Sequence, residues 1–124
     1  MKTAMQIDAD HIVTIVVAEQ YSPYPMGRDN DDGKYNGTKF RQRFLIPSLT
    51  DDNITQVNVD LNGLALTGSS FLEESFGGLV REGLSKEQID KLNIITNRQD
   101  LIIEITDYIE TAWKERNQMQ PDSE

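Results

Sequence analysis

Hydrophobic and polar positions alternate between Val57 and Leu61 and then change period within one unbroken stretch. Val57, Val59 and Leu61 are separated by Asn58 and Asp60, which predicts a buried strand over residues 55–61. Thr67, Gly68, Ser69 and Ser70 follow as a polar turn. Phe71, Leu72, Phe76, Leu79 and Val80 then recur at helical spacing, which predicts a helix over 71–81. Gly77 and Gly78 lie inside it, each costing on the order of 1 kcal/mol relative to alanine. They predict a close approach by another backbone, or an early helix end.

The same reading extends to the rest of the chain. His11 to Gln20, rich in β-branched residues, predicts a central strand whose run of Ile, Val and Thr is covered on both faces. Residues 22–37 hold Pro23, Pro25, Gly27, Gly33 and Gly37 among scattered tyrosines and acids, the pattern of a long loop or ragged hairpin. Thr38 is the expected cap of a helix with Phe40, Phe44 and Leu45 inward and Lys39, Arg41 and Arg43 outward. Pro47 is expected to interrupt or end it, with 48–53 a polar connection. Ser85 to Gln88 reads as a capping box, with Ile89 and Leu92 as an apolar pair. Asn93 to Thr96 predicts a strand, and Asp100 caps a last helix whose apolar face is Leu101, Ile102, Ile105, Tyr108, Ile109, Ala112 and Trp113.

Strands alternating with helices imply an α/β architecture, a small mixed or mostly parallel sheet flanked by helices. Right-handed crossovers then place residues 67–70 at the sheet edge where α/β folds meet ligands and partners. The expected organisation is one domain over residues 1–117 and a disordered polar tail over 118–124.

Composition narrows the chemistry. The chain has 124 residues, with 12 Lys and Arg against 21 Asp and Glu, a net charge of −9. That balance disfavours nucleic acid as a partner. There is no cysteine and only His11 as an imidazole, which removes disulfides, thiolate chemistry and multi-histidine metal sites; His11 itself reads as a strand-edge residue. The longest apolar runs are too short to cross a bilayer, and residues 1–10 lack the apolar core of a signal peptide, so a cytoplasmic, bacterial-type setting is expected. Asp29 to Gly33 fails the register of a calcium loop, and no phosphate-loop glycine motif occurs. No cofactor is expected.

At the central turn, Ser70 and Glu73 fit a capping box, and Glu73 and Glu74 read as acids complementing the helix dipole rather than as a catalytic pair. Ser69 is less explained by capping. A phosphate on it would be favoured by the helix N-terminus.

Residues 60–80, DLNGLALTGSSFLEESFGGLV, resemble the STAS-like domain family of unknown function, which pairs a strand ending in Asp-Leu with a Gly-Ser-Ser-Phe-Leu-Glu/Asp-Glu helix start. GTKFRQRFLIPSL at 37–49 and NIITNRQDLIIEITDYI at 93–109 are similar to further family segments. The resemblance implies a sheet flanked by helices and a likeness to anti-sigma-factor antagonists, in which a serine after the strand is phosphorylated by an ATP-binding, histidine-kinase-like partner. Spacing from Asp60 and Leu61 carries that serine onto Ser69. Gly68 stands where the antagonists have aspartate, and Phe71 where they have glycine.

The reading is a non-enzymatic regulatory module that docks a protein partner through Thr67, Gly68, Ser69, Ser70 and Glu73. A structural homodimer through the apolar helices is the alternative, and a serine-dependent hydrolase using Ser69 with Glu73 or Asp60 a third.

Overall fold

The computed structural model describes residues 6–7 and 10–119. Its elements are β1 (Gln6–Ile7), β2 (Ile12–Val16), a single turn α1 (Val17–Gln20), α2 (residues 37–49), β3 (Gln56–Asp60), α3 (residues 69–81), a single turn α4 (Lys86–Ile89), β4 (Leu92–Ile95) and α5 (Gln99–Met119). The sheet order is β1-β2-β3-β4. The last three strands are parallel, with Thr14 opposite Asn58 and Asn58 opposite Asn93; β1 pairs antiparallel to β2. The expected small mixed sheet with flanking helices is what forms.

Each parallel pair needs a crossover, supplied by α2 between β2 and β3 and by α3 between β3 and β4. Both crossovers step the same way along the sheet, so right-handed connections put both helices on one face. Val13, Ile15, Val57 and Val59 are fully buried against Phe40, Leu45, Phe71, Phe76 and Leu79. Opposite them lies a polar face. Thr14 is exposed, Asn58 Nδ2 donates to Thr14 Oγ1 (3.2 Å), and Asn93 Nδ2 donates to Asn58 Oδ1 (3.0 Å). The expectation that β2 is covered on both faces is therefore corrected. The strand also ends at Val16, and residues 17–20 turn helical.

Two corrections concern α2. Its cap is Asn36, whose Oδ1 accepts from Lys39 N (3.0 Å), not Thr38. Its inward face is Gly37, Phe40, Arg41, Phe44, Leu45, Ser48 and Leu49, spaced 3-1-3-1-3-1 as a core-facing helix requires. Arg41 thus points inward, and Ser48 and Leu49 are buried helix rather than a polar connection. Helical backbone runs through a widened π turn over Arg41–Leu45 and past Pro47.

Further along, the capping box at Ser85 is present in full, with Ser85 Oγ accepting from Gln88 N and Gln88 Oε1 from Ser85 N. Leu92 opens β4 instead of pairing with Ile89 on a helix, so the strand starts one residue before the expected position. Asp100 lies in the first turn of α5, not at its cap. The apolar face of α5 packs as its spacing predicts except for Ile102, which is not part of the core cluster, and the helix continues through Met119, two residues into the predicted tail. The rest of that tail, residues 120–124, lies outside the described residues, as do residues 1–5, 8 and 9 of the N-terminal stretch.

Candidate functional site

Between the end of β3 and α3, Asp60 Oδ1 accepts from Asn62 N (2.9 Å), and Gly63 takes a φ of +86° that favours glycine. The chain then crosses to Gly68, which is the N-cap of α3 and has no side chain with which to cap it. Ser69 and Ser70 are the first two helical residues and both are exposed. Ser70 is consequently not a cap, and no capping box joins it to Glu73. The helix starts two residues before its apolar spacing does, because the serines occupy its open first turn.

The Ser69 hydroxyl donates to Glu104 Oε2 of α5 (2.8 Å), and the Tyr108 hydroxyl donates to the same oxygen. Burial, then the hydrogen bond to Glu104, raises the Tyr108 pKa, while Ser69 works against the shift. Glu104 is a participant that the sequence reading missed. Only its i, i+4 spacing from Tyr108 hinted at the pair, and nothing local tied it to Ser69, 35 residues away. Thr67 Oγ1 is buried with no hydrogen-bond partner among the described residues.

One turn into α3, the carboxylates face arginines rather than the helix dipole. Glu73 is held by Arg28 Nη1 (2.5 Å) and Arg81 Nη1 (2.8 Å). Burial opposes its ionisation, but the hydrogen bonds and charges of Arg81 and Arg28 outweigh that and hold its pKa below the usual carboxylate value. Glu74 is shared by Arg28 (3.3 Å) and Arg41 (3.0 Å), and Arg41 also pairs with Glu82 (3.2 Å). Arg41 Nη1 further donates to the carbonyl oxygen of Glu74, inside a second π turn at Glu73–Gly77. This explains the paired glycines. A Cβ on Gly78 would meet the Arg41 guanidinium, and one on Gly77 would lie 2.5 Å from Glu73 Oε2. What lies against these two glycines is charged side chains, not another backbone; the close backbone approach to α3 is made by Gly37 of α2, where a Cβ would lie 2.8 Å from Phe71 O.

Arg28 also fixes the loop of residues 22–37. Gly37 N donates to Gly27 O (2.9 Å), Thr38 N to Arg28 O (3.0 Å) and Met26 N to Tyr35 O (3.0 Å). The Tyr21 hydroxyl donates to Asn36 O (2.8 Å), and burial, partly offset by Arg43, pushes its pKa up to about 12. The loop is packed against the turn: Ala65 N donates to Pro23 O (2.9 Å), and a Cβ on Gly68 would lie 3.8 Å from Met26 Cε.

A profile described as a STAS-like domain of unknown function, DUF4325, matches residues 36–100. The chain belongs to this family. The match runs from the cap of α2 to the first turn of α5, so both π turns, the buried Arg41 and the Ser69 turn lie within it. No curated protein and no solved structure matches the chain significantly.

For this STAS-like domain, no helix among the described residues is long and apolar enough to cross a membrane. Among the same residues no cluster of three potential metal-ligating side chains occurs. A cleft of about 250 Å³ is lined by residues 61–67, residues 96–98 and Leu101. Of the predicted site residues, Thr67, Gly68, Ser69 and Ser70 are contiguous at this edge. Glu73 is drawn away from them into the arginine network, and Asp60 is occupied by the backbone of Asn62.

Proposed function

We propose that this STAS-like domain is a non-enzymatic regulatory module, similar in role to anti-sigma-factor antagonists, that engages a protein partner through residues 67–70 and is switched by phosphorylation of Ser69. The observation that carries this reading is the placement of Ser69. It is exposed, at the first position of an uncapped thirteen-residue helix that follows the parallel strand β3 after the connection 61–68. Helix amides there favour added negative charge. A phosphate of charge about −2 would replace the hydroxyl that now donates to Glu104 and set two anions against each other. Residues 67–70 and α5 would part, which gives the modification a structural consequence. The neighbouring Glu73 and Glu74 offer little opposition, since arginines already neutralise them. The partner of this reading is an ATP-binding, histidine-kinase-like protein.

The test is to incubate the chain with ATP and such a protein encoded beside it, and to locate any added phosphate by mass spectrometry. The reading expects phosphate on Ser69, none on Ser69→Ala, and loss of complex after modification. Absence of both adduct and complex sinks it. The contact of Ser69 with a carboxylate also keeps a hydrolase reading testable: a serine-reactive phosphonate that labels Ser69 selectively would favour it.

A further inference from the structure

Docking at the Ser69 turn needs apolar area, because the centre of a specific interface is desolvated. Helix α3 has little to give. Phe71, Leu72, Phe76, Leu79 and Val80 are all buried, and its remaining long side chains are engaged in ion pairs. The exposed apolar surface lies beside it instead. Five large hydrophobic residues are exposed among the described residues, and three of them, Tyr24 (62%), Met26 (44%) and Leu66 (53%), sit on the two segments that clasp each other next to Gly68. Pro23 O holds Ala65 N and Leu66 N, Met26 reaches Gly68, and Tyr24 N donates to Ser22 Oγ (2.9 Å). Tyr35 (38% exposed) adjoins through the Met26 N to Tyr35 O bond. Scattered single hydrophobics mean nothing, but a contiguous group does. Arg28 pins the loop to Glu73 (2.5 Å), so little ordering cost attends binding.

We infer that Tyr24, Met26 and Leu66 form a preorganised docking surface for a partner segment that presents apolar anchors flanked by lysine or arginine. The inference rests on the interaction reading above and deepens it by naming the surface and the partner's chemistry. Charge decides the chemistry. The chain carries −9, and the loop adds Asp29, Asp31 and Asp32 against Arg28 and Lys34. The Arg28 charge is already taken by Glu73 and Glu74. Across the turn stands Glu104, with the exposed Asp107 beyond it on α5. A basic segment is attracted to such a rim, while a second copy of the chain brings the same acidic rim and is repelled.

The experiment uses the full ¹⁵N-labelled chain and two synthetic amphipathic peptides, one of Leu and Lys and its counterpart of Leu and Glu, with amide shifts followed through the titration. The Leu/Lys peptide is expected to shift residues 23–27 and 64–69 saturably, and the Leu/Glu peptide to shift nothing. Leu66→Glu and Met26→Glu, both exposed sites whose unaltered folding a thermal melt verifies, weaken the binding about tenfold or more; Tyr24→Ser repeats the test without added charge. Shifts spread over the acidic surface with no effect of these variants, or binding of both peptides alike, overturn the inference. So does sedimentation showing a dimer that Leu66→Glu splits, since the surface would then belong to a second copy. Ser69→Ala should bind the peptide like the wild type. Failure of the peptide test therefore leaves phosphorylation of Ser69 standing, and the reverse holds too.

Discussion

Gly78 and Arg41 occupy one space. A Cβ built on Gly78 would lie 2.8 Å from Arg41 Cζ and nearer still to Nη1, so the absence of a side chain on α3 is what admits the guanidinium of α2. Inside, Arg41 reaches the Glu74 carbonyl, the Glu74 carboxylate and Glu82. Gly78→Ala is therefore expected to destabilise by about 2 kcal/mol through overpacking, despite alanine's better helix propensity. In an Arg41→Met background the same change should be neutral or stabilising. Arg41→Met itself costs about 1–3 kcal/mol, because it takes the donor from the Glu74 carbonyl, while Glu74 keeps Arg28 and Glu82 is exposed to water. Urea denaturation of the four proteins gives the coupling, and additivity of the two changes would refute the shared space.

Much of this architecture is legible in the sequence, and the misses have identifiable causes. Alternation over Val57–Leu61 and the capping box at Ser85 are local signals, and both elements form where expected. Spacing alone also puts position 41 on the inward face with Phe40, Phe44 and Leu45; its charge made it read as solvated, and its partners, Glu74 on α3 and Glu82 just past its end, are 33 and 41 residues away. Thr14 looks like part of an apolar run until the crossover directions expose its face. At the candidate site, Ser69 and its neighbours are marked locally, whereas Glu104 and the Tyr24–Met26–Leu66 group meet only through tertiary packing.

The bond between Arg28 and Glu73 makes the loop of residues 22–37 sensitive to acid. Glu73 has a folded pKa below its ordinary value of 4.5, so it contributes stability that is fully present above that value and is lost as pH falls through the folded pKa. Arg28 and Arg81, whose pKa values are raised by the same carboxylate, stay charged throughout. Glu73→Gln should cost about 1–2 kcal/mol at pH 7 for these partly solvated charge-assisted bonds. The difference from the wild type should vanish at low pH. Urea midpoints between pH 7 and pH 3 check the convergence, and a constant gap would count against it.

Tyr108 reports on the Ser69 turn. Burial and donation to Glu104 raise its pKa, and Ser69 lowers it. Glu104→Gln should move the phenol back toward its ordinary value, while Ser69→Ala should move it further up, because Tyr108 then has Glu104 to itself. The two variants thus shift one titration in opposite directions. Ring-labelled NMR across the alkaline range reads it, and equal titration of both variants would mean that the Ser69–Glu104–Tyr108 chain does not persist in solution.

Two buried serines separate the cost of an unmet hydroxyl from the gain of a satisfied one. Ser75 is fully buried in the widened turn of α3, and its Oγ has no partner among the described residues; Ser48, equally buried, donates to Phe44 O at 2.5 Å. Removing an unsatisfied buried polar group relieves its desolvation penalty, whereas removing a bonded one forfeits the bond. Ser75→Ala should therefore be neutral or stabilise by up to about 1 kcal/mol, and Ser48→Ala should destabilise by about 1 kcal/mol. Both changes remove one oxygen from the same core, so cavity effects largely cancel in the comparison. Thermal unfolding of the pair decides it: a loss for Ser75→Ala as large as that for Ser48→Ala would mean that a bound water satisfies the Ser75 hydroxyl, and that the π turn of α3 encloses a hydrated pocket rather than a dry one.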